Sequence, residues 1–114
     1  MPVQNIVLPI PLSAIDSADF SGAFQILSAA NGIPNACFLI RITNNSTIPI
    51  TISYDGKNDH DWLASLGVLQ LNFGTNAPSG YIANLRQSTK IYVLGLTTGT
   101  GLVYLAGWYQ PQGV

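Results

Sequence analysis

Along most of this chain apolar and polar residues alternate one for one, the period of a strand with one face on a core and one toward solvent. The clearest run is 48–54. Ile48, Ile50, Ile52 and Tyr54 fall on one side, and Pro49, Thr51 and Ser53 on the other. Residues 36–43 repeat the pattern, with Phe38, Ile40 and Ile42 opposite Cys37, Leu39 and Arg41. Between them Asn44-Asn45-Ser46-Thr47 reads as a turn, because Asn tolerates positive φ and bonds its own backbone. The two runs therefore predict a hairpin. Pro49 predicts that its second strand lies at a sheet edge, since proline cannot donate to a ladder.

Further strands are predicted at 68–73, where Leu69, Leu71 and Phe73 alternate with Gln70 and Asn72, and at 81–85, 90–96 and 102–109. Upstream, 5–10 and 22–28 bring the count to about eight. The glycine-rich stretch 97–101 reads as a hairpin loop joining the last two. Strong helix formers are scarce and β-branched residues abundant, so helix is expected only as short turns, one starting at Ser13 or Asp16 before Phe20 and one at 61–64. The prediction is an all-β chain: an antiparallel sandwich of about eight strands, jelly-roll-like, with an extended N-terminal segment. Residues 1–12 form that segment and 13–114 a single sandwich domain. The expected core is Phe38, Ile40, Ile42, Ile50, Ile52, Leu69, Leu71, Phe73, Val93, Val103 and Leu105.

Charge changes the picture most. Lys, Arg, Asp and Glu make up 8% of the 114 residues, and there is no Glu at all. An ordinary soluble domain carries about 25%. The hydrophobic share, 47%, is ordinary, so Ser, Thr, Asn, Gln and Gly have taken the place of charges. Such a surface repels copies of itself weakly and is inexpensive to desolvate, which suits a chain packed into an assembly. A net charge of −1 offers no footprint for nucleic acid or an anionic membrane. No apolar run approaches the ~20 residues that span a bilayer, and the first residues lack the pattern of a secretory signal. The single Cys37 excludes an internal disulfide and reads as a buried small hydrophobe.

Both ends carry candidate contact residues. Ile6, Val7, Leu8 and Ile10 lie in an apolar, proline-punctuated stretch that reads either as a first edge strand or as an arm reaching a neighbour. Tyr104, Trp108 and Tyr109 form an aromatic cluster of the kind found at interface hot spots and in cores alike.

Polar ligand-type residues gather only at 55–61, which holds Asp55, Asp59, Asp61 and the one His, His60. The three aspartates are candidates for a bound cation. Their spacing departs from a calcium loop, with no downstream Glu, and one imidazole falls short of a zinc set. Asp and His lack a nucleophile to complete a triad. The loop reads as a solvated turn in which Asp55-Gly56 reverses the chain and Asp59 or Asp61 caps the next segment. No cofactor and no catalysis are expected. The overlapping glycosylation sequons at 44–47 read as turn chemistry, and exposed Tyr and Trp leave glycan binding open.

The stretch Ile42-Thr43-Asn44-Asn45-Ser46, Ile50-Thr51-Ile52-Ser53-Tyr54-Asp55-Gly56, Asp59-His60-Asp61 and Leu69-Gln70-Leu71-Asn72-Phe73-Gly74 resembles the small β-structured virion proteins of tailed bacteriophages. So do Lys90-Ile91-Tyr92-Val93 and the C-terminal run Val103-Tyr104-Leu105-Ala106-Gly107-Trp108-Tyr109. The resemblance covers about two-thirds of the chain. It implies a capsid decoration or stapling protein that binds copies of itself and a major capsid or other virion protein, assembled in the host cytoplasm. A tail or fibre adhesin that binds host glycans is the alternative it leaves.

Overall fold

A computed structural model describes residues 7–72 and 85–109. Nine strands follow one another: β1 (Leu8–Pro9), β2 (Ser13–Asp16), β3 (Gln25–Ile26), β4 (Leu39–Ser46), β5 (Ile50–Ser53), β6 (Asp61–Leu63), β7 (Val68–Asn72), β8 (Tyr92–Leu94) and β9 (Gly101–Tyr109). A 3-10 turn at Ser17–Asp19 is capped by Asp16, whose carboxylate accepts from the Ala18 N–H. No helix among the described residues is long and apolar enough to cross a membrane.

The strands form two antiparallel sheets. One has the order β1-β9-β4-β7, with β2 also on β9, and the other β3-β8-β5-β6. Because β1 and β2 run in turn along the same edge of β9, they act as one interrupted strand. The described residues then make eight strand positions, and the chain changes sheet at every step between them except β5 to β6. That order, 1/2-9-4-7 facing 3-8-5-6, is the jelly roll.

The core lies between the sheets and follows the period of two. Ile40, Ile42, Val103 and Leu105 of the first sheet meet Ile50, Ile52, Leu63 and Val93 of the second, all buried. Connecting segments close the ends with Ile10, Phe20, Leu27, Ile33, Cys37 and Ile91. Leu69 and Leu71, on the edge strand β7, are half-buried against this core. Phe38 is not part of it. It lies in a bend just before β4, where the alternation shifts so that Cys37 is fully buried and Phe38 half-buried. Phe73 lies outside the described residues.

Three expectations about pairing are corrected. Asn44-Asn45-Ser46 is not a turn but the last third of β4, held in register with Val103, Leu102 and Gly101 of β9. The predicted hairpin between 36–43 and 48–54 does not form, because β4 and β5 belong to different sheets; β8 and β9 likewise separate. β5 is interior, flanked by β8 and β6, and Pro49 falls just before it, where no ladder donor is needed. Of the two starts expected for the first helical turn, Asp16 is the one used, capping the 3-10 turn Ser17–Asp19 before Phe20, while 13–16 themselves are strand β2; 61–63 are strand β6 rather than a helical turn. Most of the predicted strand at 81–85 lies outside the described residues.

Candidate functional site

The outward face of the five-stranded sheet is the first unusual surface. An antiparallel sheet with one solvated face normally turns polar residues outward. Here the outward positions of β9 are Leu102, Tyr104, Ala106 and Trp108, alternating with the inward Val103, Leu105, Gly107 and Tyr109. Register carries the apolar character sideways. Trp108 is flanked by Pro9 and Leu39, and Tyr104 by Ala14 and Thr43. Beyond Thr43 lies Val68, which is exposed. Arg41 sits amid this face with its guanidinium carbon 5.3 Å from the centroid of the Trp108 ring, close enough for a cation–π contact. At the far corner Asp16 is the other charge.

The structure thus divides the aromatic cluster. Tyr104 and Trp108 point outward, whereas Tyr109 packs against the core, because strand parity sends adjacent residues to opposite faces. The N-terminal candidates divide in the same way. Val7 and Leu8 are exposed, and β1 lies on the chain's own β9. Ile10 is a core residue, 6% exposed, whose N–H donates to the Gly107 carbonyl at 2.9 Å. Ile6 lies outside the described residues. Reading by sequence missed Leu39, Arg41 and Leu102. The available signal was that β9 has almost no polar residue on either parity, the mark of a strand covered on both faces.

A second surface lies at the corner where β6 passes to β7. Trp62 projects from β6 with 61% of its surface exposed, and Leu66 in the following turn is 73% exposed. The turn is closed by the Gly67 N–H donating to the Ala64 carbonyl at 3.0 Å, and Leu66 adopts a φ of 63°.

The aspartate loop joins β5 to β6, and its geometry is that of a built turn. Asp55 Oδ1 accepts from the N–H groups of Lys57 and Asn58 at 2.8 and 2.9 Å and from the Ser53 hydroxyl at 2.9 Å. Its Oδ2 accepts from the Asn58 side-chain amide at 2.7 Å. These donors, the Asn58 N–H foremost and then the Lys57 N–H, hold the Asp55 carboxyl well below the usual carboxylate range. Gly56 lies against the Tyr92 ring at φ 76°, where a Cβ would meet ring carbons at 3.1 Å. His60 Nδ1 accepts from the Tyr54 N–H at 3.0 Å, and its Nε2 lies 3.9 Å from Asp55 Oδ2. Asp61 Oδ1 accepts from the Trp62 N–H, and Asp59 is exposed. Among the described residues no three His, Cys or Asp side chains converge as a metal-binding group. Burial, and secondarily the charge of Asp61, pushes the Tyr54 hydroxyl up to about 12.

An open groove of about 790 Å³ separates this turn from the segment 86–90. Tyr54, Asp55, Tyr92, Arg86 and Lys90 are among the residues that line it. The segment 86–90 is anchored: Gln87 donates to the Pro34 carbonyl at 2.8 Å, the Ser88 N–H donates to the Ile33 carbonyl at 2.9 Å, and the Ile33 N–H donates to the Thr89 carbonyl at 3.0 Å. Among the described residues neither Arg86 nor Lys90 has an ion-pair partner. Cys37 is fully buried and its thiol pKa is raised by that burial, so it contributes packing. The first of the two sequons is structural, since Asn44 is fully buried with its amide engaged, whereas Asn45 of the second is exposed on β4. No protein-family model, no curated protein and no solved structure matches this chain.

Proposed function

We propose that this chain is a structural component of a tailed-phage virion, a decoration or cement subunit that stabilises the head shell through protein–protein contact. The observation that carries the reading is Leu66. It occupies the third position of its turn with positive φ, a place that favours Gly or Asn and costs other residues about 1–2 kcal/mol. Its side chain nevertheless stands in solvent beside the exposed Trp62. Neither the core nor the backbone benefits from a leucine there. A contact outside the chain does. The scarcity of charge supports the same reading, since such a surface is desolvated at little cost.

The test is co-sedimentation of the purified protein with empty head shells. Leu66→Gly should leave the melting temperature unchanged or higher, because the strain is relieved, while weakening shell binding roughly tenfold or more. Undiminished binding by that variant overturns the reading.

The groove favours one second reading, a tail or fibre adhesin for host glycans. Jelly rolls serve both capsid and lectin domains, so fold alone does not choose between them. Arg86 and Lys90, which have no ion-pair partner among the described residues, line the groove with Tyr54 and Tyr92 and would suit an acidic saccharide. A glycan array probed with wild type and Arg86→Ala separates the two readings, since a cement subunit ignores sugars.

A further inference from the structure

We propose that the outward face of the five-stranded sheet is a self-association surface, and that two copies pack through it about a two-fold axis. Shape is the first reason. Twisted sheets pack face to face about 10 Å apart with strands roughly 30° off alignment, and the face that matches this twist best is a second copy of itself.

Area is the second. Four strand positions across the sheet span roughly 19 Å at the usual strand spacing, and the nine residues of β9 run roughly 30 Å. Because β4 is eight residues long, β7 five and β1 with β2 six, each copy offers a flat footprint of about 450 Å², and two copies together come to about 900 Å², close to the ~1,000 Å² that a stable contact needs. The side-chain relief adds to that figure.

The third reason is the order of side chains. Along β9 the outward residues run Leu102, Tyr104, Ala106, Trp108. A two-fold axis crossing this strand at Leu105 sets Tyr104 of one copy over Ala106 of the other, and Trp108 over Leu102. Each ring then meets a smaller side chain, and each contact occurs twice, as an isologous interface requires. Arg41 of one copy falls near Thr43 of the other, not opposite its own equivalent. The two charges on the face, Arg41 and Asp16, are of opposite sign, so no field of one sign repels a copy. This pairing uses a surface separate from Leu66 and Trp62, and it stands whether or not the chain binds a shell.

Sedimentation equilibrium over a range of concentrations tests it. The wild type should fit a reversible dimer of the 12.1 kDa chain. Tyr104→Lys and, on the neighbouring strand, Thr43→Lys should each raise the dimer dissociation constant roughly tenfold or more, because an ion would be desolvated without a partner. Thr51→Lys, the same change on the outward side of the other sheet, should leave it unaltered. Circular dichroism and melting curves confirm that the variants fold. A monomer at every concentration, a stoichiometry other than two, or dissociation by Thr51→Lys as large as by Thr43→Lys overturns the proposal.

Discussion

The side-chain amide of Asn44, on β4, donates to the backbone carbonyl of Ala64 at 3.1 Å, in the connection that leaves β6 of the opposite sheet. The same nitrogen donates to the Ile48 carbonyl at 2.9 Å. The Asn44 side-chain oxygen accepts from both the hydroxyl and the N–H of Ser46. One buried side chain thus ties the two sheets together at the end where the chain crosses between them.

Replacing it should be costly. Asn44→Ala removes the amide donor shared by the Ile48 and Ala64 carbonyls and the oxygen that accepts from Ser46, leaving the Ser46 hydroxyl as donor to Ile48 and the Gly67 N–H as donor to Ala64. The expected loss is about 3 kcal/mol, read as a lower denaturation midpoint with an unchanged slope. Asn44→Asp should also destabilise, because a carboxylate cannot donate to either carbonyl. A loss below about 1 kcal/mol would mean that the Ser46 and Gly67 donors suffice for those carbonyls without Asn44.

Gly101 opens β9 with a φ of 99°, opposite Ser46, and its carbonyl accepts from the Ser17 hydroxyl at 2.8 Å. A Cβ there would overlap the carbonyl oxygen of Asn45. Gly101→Ala should therefore lower stability by about 2 kcal/mol or more, from backbone strain and the clash together. An unchanged melting temperature would show that β4 and β9 can splay at this end.

Asp55 makes acid stability testable, and the sign follows from its donors. They favour the ionised form, so the folded-state pKa lies below the unfolded value of about 3.9. The stabilisation is complete above that unfolded value. It fades as pH falls from there through the folded one, because the unfolded chain takes up the proton first. Asp55→Asn should be less stable than wild type near neutrality, and the difference should shrink below about pH 4. Parallel acid limbs in the two melting series would assign the acid response to other carboxylates.

The N-terminal segment should respond unevenly. Ile10→Ala empties a core position and should cost about 2–4 kcal/mol, whereas Leu8→Ala, two residues earlier on the exposed edge, should cost under about 1 kcal/mol. Equal losses in thermal melts would mean that β1 is as much a part of the core as Ile10.

The aspartate loop was legible in advance because turn chemistry is local. Ser53, Asp55, Gly56 and Asn58 lie within six residues, and their bonds need no distant strand. The outward face was only half legible. Tyr104 and Trp108 stand out as aromatics, but Leu39 and Arg41 join them through a register that places β4 beside β9 across some sixty residues of chain. Leu66 gave no local sign at all, since its exposure and its positive φ depend on how β6 hands over to β7.

By itself the order of residues determined that this chain is all β, and which side chains of the central strands turn inward. Ile40, Ile42, Ile50, Ile52, Val93, Val103 and Leu105 are buried where their alternation puts them, because the period of two is a property of the extended backbone. Only the tertiary structure decided which strands pair. Local alternation is the same for a hairpin and for two strands in facing sheets, so 36–43 and 48–54 looked like neighbours until β9 and β7 claimed β4. The same long-range burial drew Phe20 and Ile33 inward from segments outside every predicted strand, where no period could mark them. It also turned Asn44 from an apparent turn residue into the buried tie between sheets, since a side chain's role follows from what surrounds it in space.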